Sequence, residues 1–301
     1  MKVSMDRPLI IITGPTGVGK SDFAESLAME GKGEIISCDS KAVYKDLKVG
    51  TGVSLNDPGI PYHLVSFMEI GNYYSVADFL SHSRRCVEHI RSMGKLPIIS
   101  GGSMLYVERS IKGLDPSPKP DKRLREGLSS MIEDGDQDAV VEYIENFHLD
   151  IDIKYIMVNR RRALRLLEKM ILPNDGEPLP PTDKNFRCIY LLRKKDEMRH
   201  RIEKRVDHML ENGLIEETRE VLFRSRVNNL FLQEIPGYRE VIKYLNDELD
   251  RDGLRDSIID SHIKIYKQQL KWIPRLTCRV VELNGMFSVK DLRSMALQDS
   301  I

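Results

Sequence analysis

Gly14-Pro15-Thr16-Gly17-Val18-Gly19-Lys20-Ser21 is the stretch from which the rest of this chain is read. It has the full G-x-x-x-x-G-K-[ST] spacing, follows the apolar run Pro8-Leu9-Ile10-Ile11-Ile12-Thr13, and opens the amphipathic stretch Asp22 to Glu30. Strand, glycine-rich loop and helix in that order predict a phosphate-binding loop. The glycines let successive backbone N–H groups turn inward around a phosphate, and the helix behind them adds the positive end of its dipole. Lys20 supplies a mobile point charge, and the Ser21 hydroxyl is placed to ligate magnesium. Gly14, Pro15, Thr16, Gly17, Val18, Gly19, Lys20 and Ser21 are therefore candidates for binding a diphosphate or a nucleotide.

The remaining composition narrows the class. Of 301 residues, 41% are hydrophobic and 31% charged, a balance that suits a soluble globular enzyme. No apolar run is long enough to span a bilayer, and Met1-Lys2-Val3-Ser4-Met5-Asp6 lacks the apolar core of a signal peptide, so a cytoplasmic enzyme without a membrane is expected. Cys38, Cys86, Cys188 and Cys278 are far apart, which suggests neither a zinc site nor a disulfide framework. A net charge of zero argues against nucleic-acid binding through overall charge but leaves room for a local patch. Two segments are locally basic: Asn159 to Arg165, and Arg193-Lys194-Lys195 followed by Arg199, Arg201, Lys204 and Arg205. Alone, such runs are usually solvated helix faces.

Beyond the loop helix, Glu34-Ile35-Ile36-Ser37 reads as a second strand ending in Cys38-Asp39-Ser40. Ligands of open parallel sheets lie outside the carboxyl ends of the strands, which puts Asp39 on the same rim as Lys20. There it is a proton acceptor, a metal-coordinating carboxylate or the cap of a turn. Residues 48–64 read as polar loop. Ser75 and Asp78 signal a helix start, and Gly94 its end. The strand Leu96-Pro97-Ile98-Ile99 runs into Ser100-Gly101-Gly102-Ser103, where a common P-loop NTPase carries a magnesium-holding Asp. The glycines there permit close backbone approach to a ligand. Proline-rich breaks at Asp115–Asp121 and Pro173–Pro181 bracket a helical pattern. Cys188–Leu192 is a returning strand, the rest is mostly helix, and Val280–Leu283 is an edge strand. The fold class is thus α/β: a P-loop NTPase-like parallel sheet core with a helical insertion domain and a mostly helical C-terminal half. Its expected divisions are 1–115 and 187–285 for the core, 116–186 for the insertion and 286–301 for a tail.

Several of these stretches together resemble the tRNA dimethylallyltransferase (tRNA isopentenyltransferase) family of bacterial type. They are Gly14–Ser21, Asp39-Ser40 with Val43-Tyr44, Val49-Gly50-Thr51, His63-Leu64, Gly101-Gly102-Ser103 with Leu105-Tyr106, and Asn159 to Glu168. Arg201-Ile202, Arg205-Val206, Met209-Leu210, Gly237-Tyr238-Arg239-Glu240, Lys267, Gln269 and Trp272 complete the ordered set, and no zinc-finger extension of the eukaryotic kind is seen. The chain departs from the family pattern at Ala42, where Gln is usual, at Lys195 for Arg, at Gln268 for a cation, and at Pro236.

The resemblance implies transfer of a dimethylallyl group from dimethylallyl diphosphate to the exocyclic amine of the adenosine 3′ of a tRNA anticodon, with magnesium assisting departure of the diphosphate. It implies Asp39 as general base and Arg201, less firmly Arg205, near the diphosphate or the adenosine. Ser103 keeps the hydroxyl of the family's Thr. Ser40, Lys41, Ala42 and Arg125 fall at tRNA-contacting positions, and Arg161, Arg162 and Arg165 form a cationic contact for the anticodon stem. A monomer is expected. A P-loop small-molecule kinase and a prenyltransferase acting on free adenine nucleotides are the alternatives, and a P-loop switch without chemistry is a third. A kinase has no need of the basic insertion, and a switch favours an acidic residue after the third strand.

Overall fold

The computed structural model describes residues 7–53, 59–118, 160–174, 176–224 and 230–283, with a few positions between 121 and 127. They form two compact units, one of Met1–Gly113 with Pro181–Ile301 and one of Leu114–Pro180. The first holds a six-stranded sheet in the order β3-β2-β4-β1-β5-β6, and every pairing is parallel.

Strand β1 (Leu9–Thr13) lies between β4 (Leu96–Gly101) and β5 (Phe186–Leu192), and all five of its residues are buried. A run of β-branched residues without alternation is what a strand covered on both faces requires. Helix α1 (Lys20–Gly31) follows it, then β2 (Gly33–Ser37). β3 is only Tyr62–His63, paired with Ile35 and Ile36. Residues 48–64 read as loop throughout, and this two-residue edge strand corrects that reading; so short a segment has no periodicity to detect. Helix α2 (Val76–Ser92) begins where expected, with Ser75 Oγ accepting from Asp78 N–H at 3.1 Å and Asp78 Oδ2 accepting from Ser75 N–H at 2.8 Å. It stops ahead of Gly94. Helix α3 (Met104–Lys112) leaves the end of β4.

In the second unit, Leu114 and Leu179 exchange backbone hydrogen bonds of 2.7 and 2.9 Å, which ties the two ends of the insertion together. Its described helix is α4 (Arg160–Ile171). The helical pattern read across 122–159 lies almost wholly outside the described residues, as does the tail from Asn284.

After β5 the chain runs through α5 (Lys195–Glu211), α6 (Leu214–Arg224), α7 (Leu230–Gln233), α8 (Tyr238–Leu245) and α9 (Arg251–Leu270), then returns as β6 (Arg279–Glu282). Asp250 caps α9 by accepting from Gly253 N–H at 2.7 Å. One reading of the cysteines is corrected. Cys188 and Cys278 are bonded to each other, because β5 and β6 run parallel in register and bring their Cα atoms to 4.5 Å. Ninety residues of separation hid this pairing from the sequence.

Candidate active site

The first loop and the ends of β2 and β4 meet on one rim of the sheet. Lys20 opens α1, and its Nζ donates to the Pro15 carbonyl at 2.9 Å, where Val18 N–H also donates at 3.3 Å. Burial lowers the Lys20 pKa from 10.5 to about 8, Arg205 adds to the lowering, and the charge of Asp39 opposes both. Lys20 therefore stands in the fields of both residues. Ser21 and Asp22 are exposed at the start of the helix.

Asp39 follows β2. Its Oδ1 accepts from Lys41 N–H at 2.8 Å and Ala42 N–H at 3.3 Å, so it caps its own turn while remaining half-buried on the rim. Ser103 braces the turn from the other side. Its Oγ accepts from Ser40 N–H at 3.0 Å and its N–H donates to the Cys38 carbonyl at 3.2 Å. At Gly101 the close approach is to backbone: a Cβ there would stand 2.1 Å from the Cys38 carbonyl oxygen. That is why position 101 admits no side chain. Lys41 lies over the Phe231 ring at 4.7 Å. Ala42 is only 3% exposed, so a methyl fits where a longer amide would have to leave the core.

Helix α5 brings arginines to the loop. Arg201 Nε donates to the Gly17 carbonyl at 2.7 Å, and Arg193 Nε, just before the helix, to the Val18 carbonyl at 2.9 Å. Burial pushes the Arg205 guanidinium below its ordinary value, with Asp39 opposing, and its Nε is buried without a hydrogen-bond partner. From the far end of the chain, Gln269 on α9 accepts from Thr16 N–H at 2.8 Å and donates to the Gly102 carbonyl at 2.9 Å.

Glu217 on α6 holds a second loop. Its carboxylate accepts from the N–H groups of Lys48, Val49 and Gly50 at 2.8, 2.8 and 3.2 Å and from the Tyr238 hydroxyl at 2.7 Å. The Arg205 guanidinium packs on this loop, 3.4 Å from where a Cβ on Gly52 would stand.

The structure thus gathers Gly14–Ser21, Asp39–Ala42, Ser103 and Arg201 around one rim. It places Arg165 in the second unit, bonded to Glu168 at 2.8 Å, Ser117 Oγ at 2.6 Å and the Pro118 carbonyl at 2.8 Å. Arg161 and Arg162 lie on α4, but their side chains, like the whole of Arg125, fall outside the described residues. Arg193, Gln269 and Glu217 were not among the candidate site residues. Gln269 at least stood in a motif, whereas nothing local marked Glu217.

The chain is similar in sequence and fold to several known proteins. The family model for IPP transferase matches residues 42–276. The tRNA dimethylallyltransferase of Aquifex aeolicus is 32% identical over 287 residues, covering 92% of this chain and 93% of that protein. That of Streptococcus pneumoniae is 30% identical over 272 residues, 89% of this chain and 90% of its own length. Among solved structures, the tRNA isopentenylpyrophosphate transferase of Bacillus halodurans superposes with a TM-score of 0.66 at 26% identity, over 97% of this chain and 94% of that one. A eukaryotic dimethylallyltransferase captured acting on tRNA shares the fold, with a TM-score of 0.70 at 22% identity over 97% of this chain and 76% of that one. Among the described residues no helix is long and apolar enough to cross a membrane.

Proposed function

The chain belongs to the IPP transferase family as a prenyl-transferring enzyme of tRNA modification, and from that premise we propose how its site divides the work. The donor is dimethylallyl diphosphate, and the acceptor is the exocyclic amine of the adenosine 3′ of the anticodon. The loop amides, Lys20 and the arginines of α5 neutralise the charge that develops on the departing diphosphate. Asp39 takes the proton from the attacking amine. An aromatic amine is a weak nucleophile, so alignment with the allylic carbon matters more than basicity.

The acceptor base must leave its stack, at a cost of a few kcal/mol that is smallest in a single-stranded loop. The turn Ser40-Lys41-Ala42 and Ser103 meet the extruded nucleotide, while Arg125, Arg161 and Arg162 of the insertion hold the anticodon stem through its phosphates and Arg165, bonded to Glu168, Ser117 and Pro118, braces that unit. The enzyme acts as a monomer.

Magnesium fits the donors present. Such an ion takes its ligands mainly from substrate phosphates, water and one or two protein oxygens, and Ser21 stands exposed at the start of α1, beside Lys20. The Ser21 hydroxyl is the protein donor. When bound, the ion neutralises diphosphate charge.

The observation that carries this reading is the placing of an acid and a phosphate cradle on one rim: Asp39 caps the turn that Ser103 braces through Ser40, and a Cβ on the neighbouring Gly102 would stand 3.6 Å from Lys20 Nζ. Asp39→Asn is expected to abolish prenyl transfer to an anticodon stem-loop while leaving stem-loop affinity within about twofold, because its amide oxygen still caps the Ser40–Ala42 turn. Near-normal turnover would remove Asp39 from the role of base. A parallel ATP-hydrolysis assay separates the reaction from a kinase's.

A further inference from the structure

Each carbonyl of the phosphate loop that faces outward fixes the direction of an N–H that faces inward, because the peptide unit is planar and trans. Two of these outward carbonyls are held by arginines from the far side of the sequence. Arg201 Nε binds Gly17 O, and the opposite end of that peptide, Val18 N–H, indeed points across the loop to Pro15 O at 3.3 Å. Arg193 Nε binds Val18 O at 2.9 Å, which directs the Gly19 N–H away from the guanidinium in the same sense. The side chain of Arg193 is only 11% exposed, and its Nη1 is held by Glu197 at 2.6 Å, so its position is fixed. Both guanidinium groups close on Gly19: a Cβ there would stand 3.5 Å from Arg201 Nη2 and 3.8 Å from Arg193 Nη2, with Asp22 Oδ2 at 3.6 Å.

We infer that Arg193 is a positioning residue for the diphosphate: through the Val18 carbonyl it aims the Gly19 N–H at the anion, and it adds a fixed positive charge beside the loop. This rests on the reading of the loop as the diphosphate cradle. Arg201 fixes the preceding peptide, whose Val18 N–H closes the loop onto the Pro15 carbonyl, so the two arginines hold consecutive peptides of the nest, a concavity that binds anions only when its free N–H groups converge.

The test uses the full chain and inorganic pyrophosphate, titrated by calorimetry into the wild type, Arg193→Ala and Arg193→Gln. Affinity for an anticodon stem-loop and the melting temperature are measured alongside. Arg193→Ala is expected to bind pyrophosphate about tenfold more weakly, the effect of one charge-assisted contact, and to raise KM for the prenyl donor by a similar factor, with stem-loop affinity unchanged. Arg193→Gln keeps a donor for the Val18 carbonyl without the charge and is expected to lose several-fold. If Arg193→Ala does not fold, Arg193→Gln decides. Wild-type pyrophosphate affinity in a folded variant, or an equal loss of stem-loop affinity, would overturn the inference. A wild type that binds no pyrophosphate would overturn the cradle reading itself, and this one with it.

Discussion

Lys20 is held at about 8 by burial first and Arg205 second, against an ordinary value of 10.5. Its charge is present at neutral pH and lost as the pH rises through about 8. If that charge grips the diphosphate, KM for the donor should climb from about pH 8 upward, and a profile flat to about pH 9.5 would remove Lys20 from the grip. Stability responds with the opposite sign. Between about 8 and 10.5 the unfolded chain binds more protons at this site than the folded one, so stability rises with pH across that window. The penalty for the buried cation is complete below it. Spacing alone made Lys20 and Ser21 legible, and strand order made Asp39 so. Arg193 and Glu217 were not, because their meaning lies in contacts with residues 175 and 169 positions away. A sequence shows Arg193 only as part of a basic run and Glu217 only as one charge of a helix.

At the scale of elements, the segment from Lys48 to Thr51 has no regular structure of its own and is shaped by two helices that arrive much later. Glu217 of α6 collects its amides, and Tyr238 of α8 packs so close that a Cβ on Gly50 would stand 2.4 Å from the ring. Gly50→Ala must therefore displace a fully buried tyrosine, at about 1–3 kcal/mol in urea denaturation, the range for an overpacked core. Tyr238→Phe should cost only about 1 kcal/mol, since it loses one hydrogen bond and keeps the ring. Equal losses would mean that the ring is not what confines Gly50. The motif pieces Val49-Gly50-Thr51 and Gly237-Tyr238-Arg239-Glu240, separate in the sequence, are thus the two faces of one latch. Helices with strong local signals were readable in advance: Ser75 with Asp78 announced α2, and buried apolar runs announced β1, β2 and β5. β3 and the Cys188–Cys278 bond were not, since register between strands made both.

For the whole molecule, zero net charge and binding to a polyanion are compatible only if cations are segregated. Arg165 is already committed within its own unit, to Glu168, Ser117 and Pro118. Arg161→Ala with Arg162→Ala should then lower the slope of log affinity against log salt by about one for each phosphate no longer neutralised, with prenyl transfer to saturating RNA retained. An unchanged slope would place the stem elsewhere. The alternation of apolar strands and helices made the α/β architecture legible, and the proline-rich breaks marked the insertion; the folding together of the two halves was not legible in either. Strand β1 is flanked on one side by β5, which follows the insertion in sequence, and its loop is tied to Gln269 on α9. A sheet formed without β5 therefore has its innermost strand open along one edge to any passing strand. Removal of α9 would leave the cradle's sequence intact yet take away the amide that spans Thr16 and Gly102.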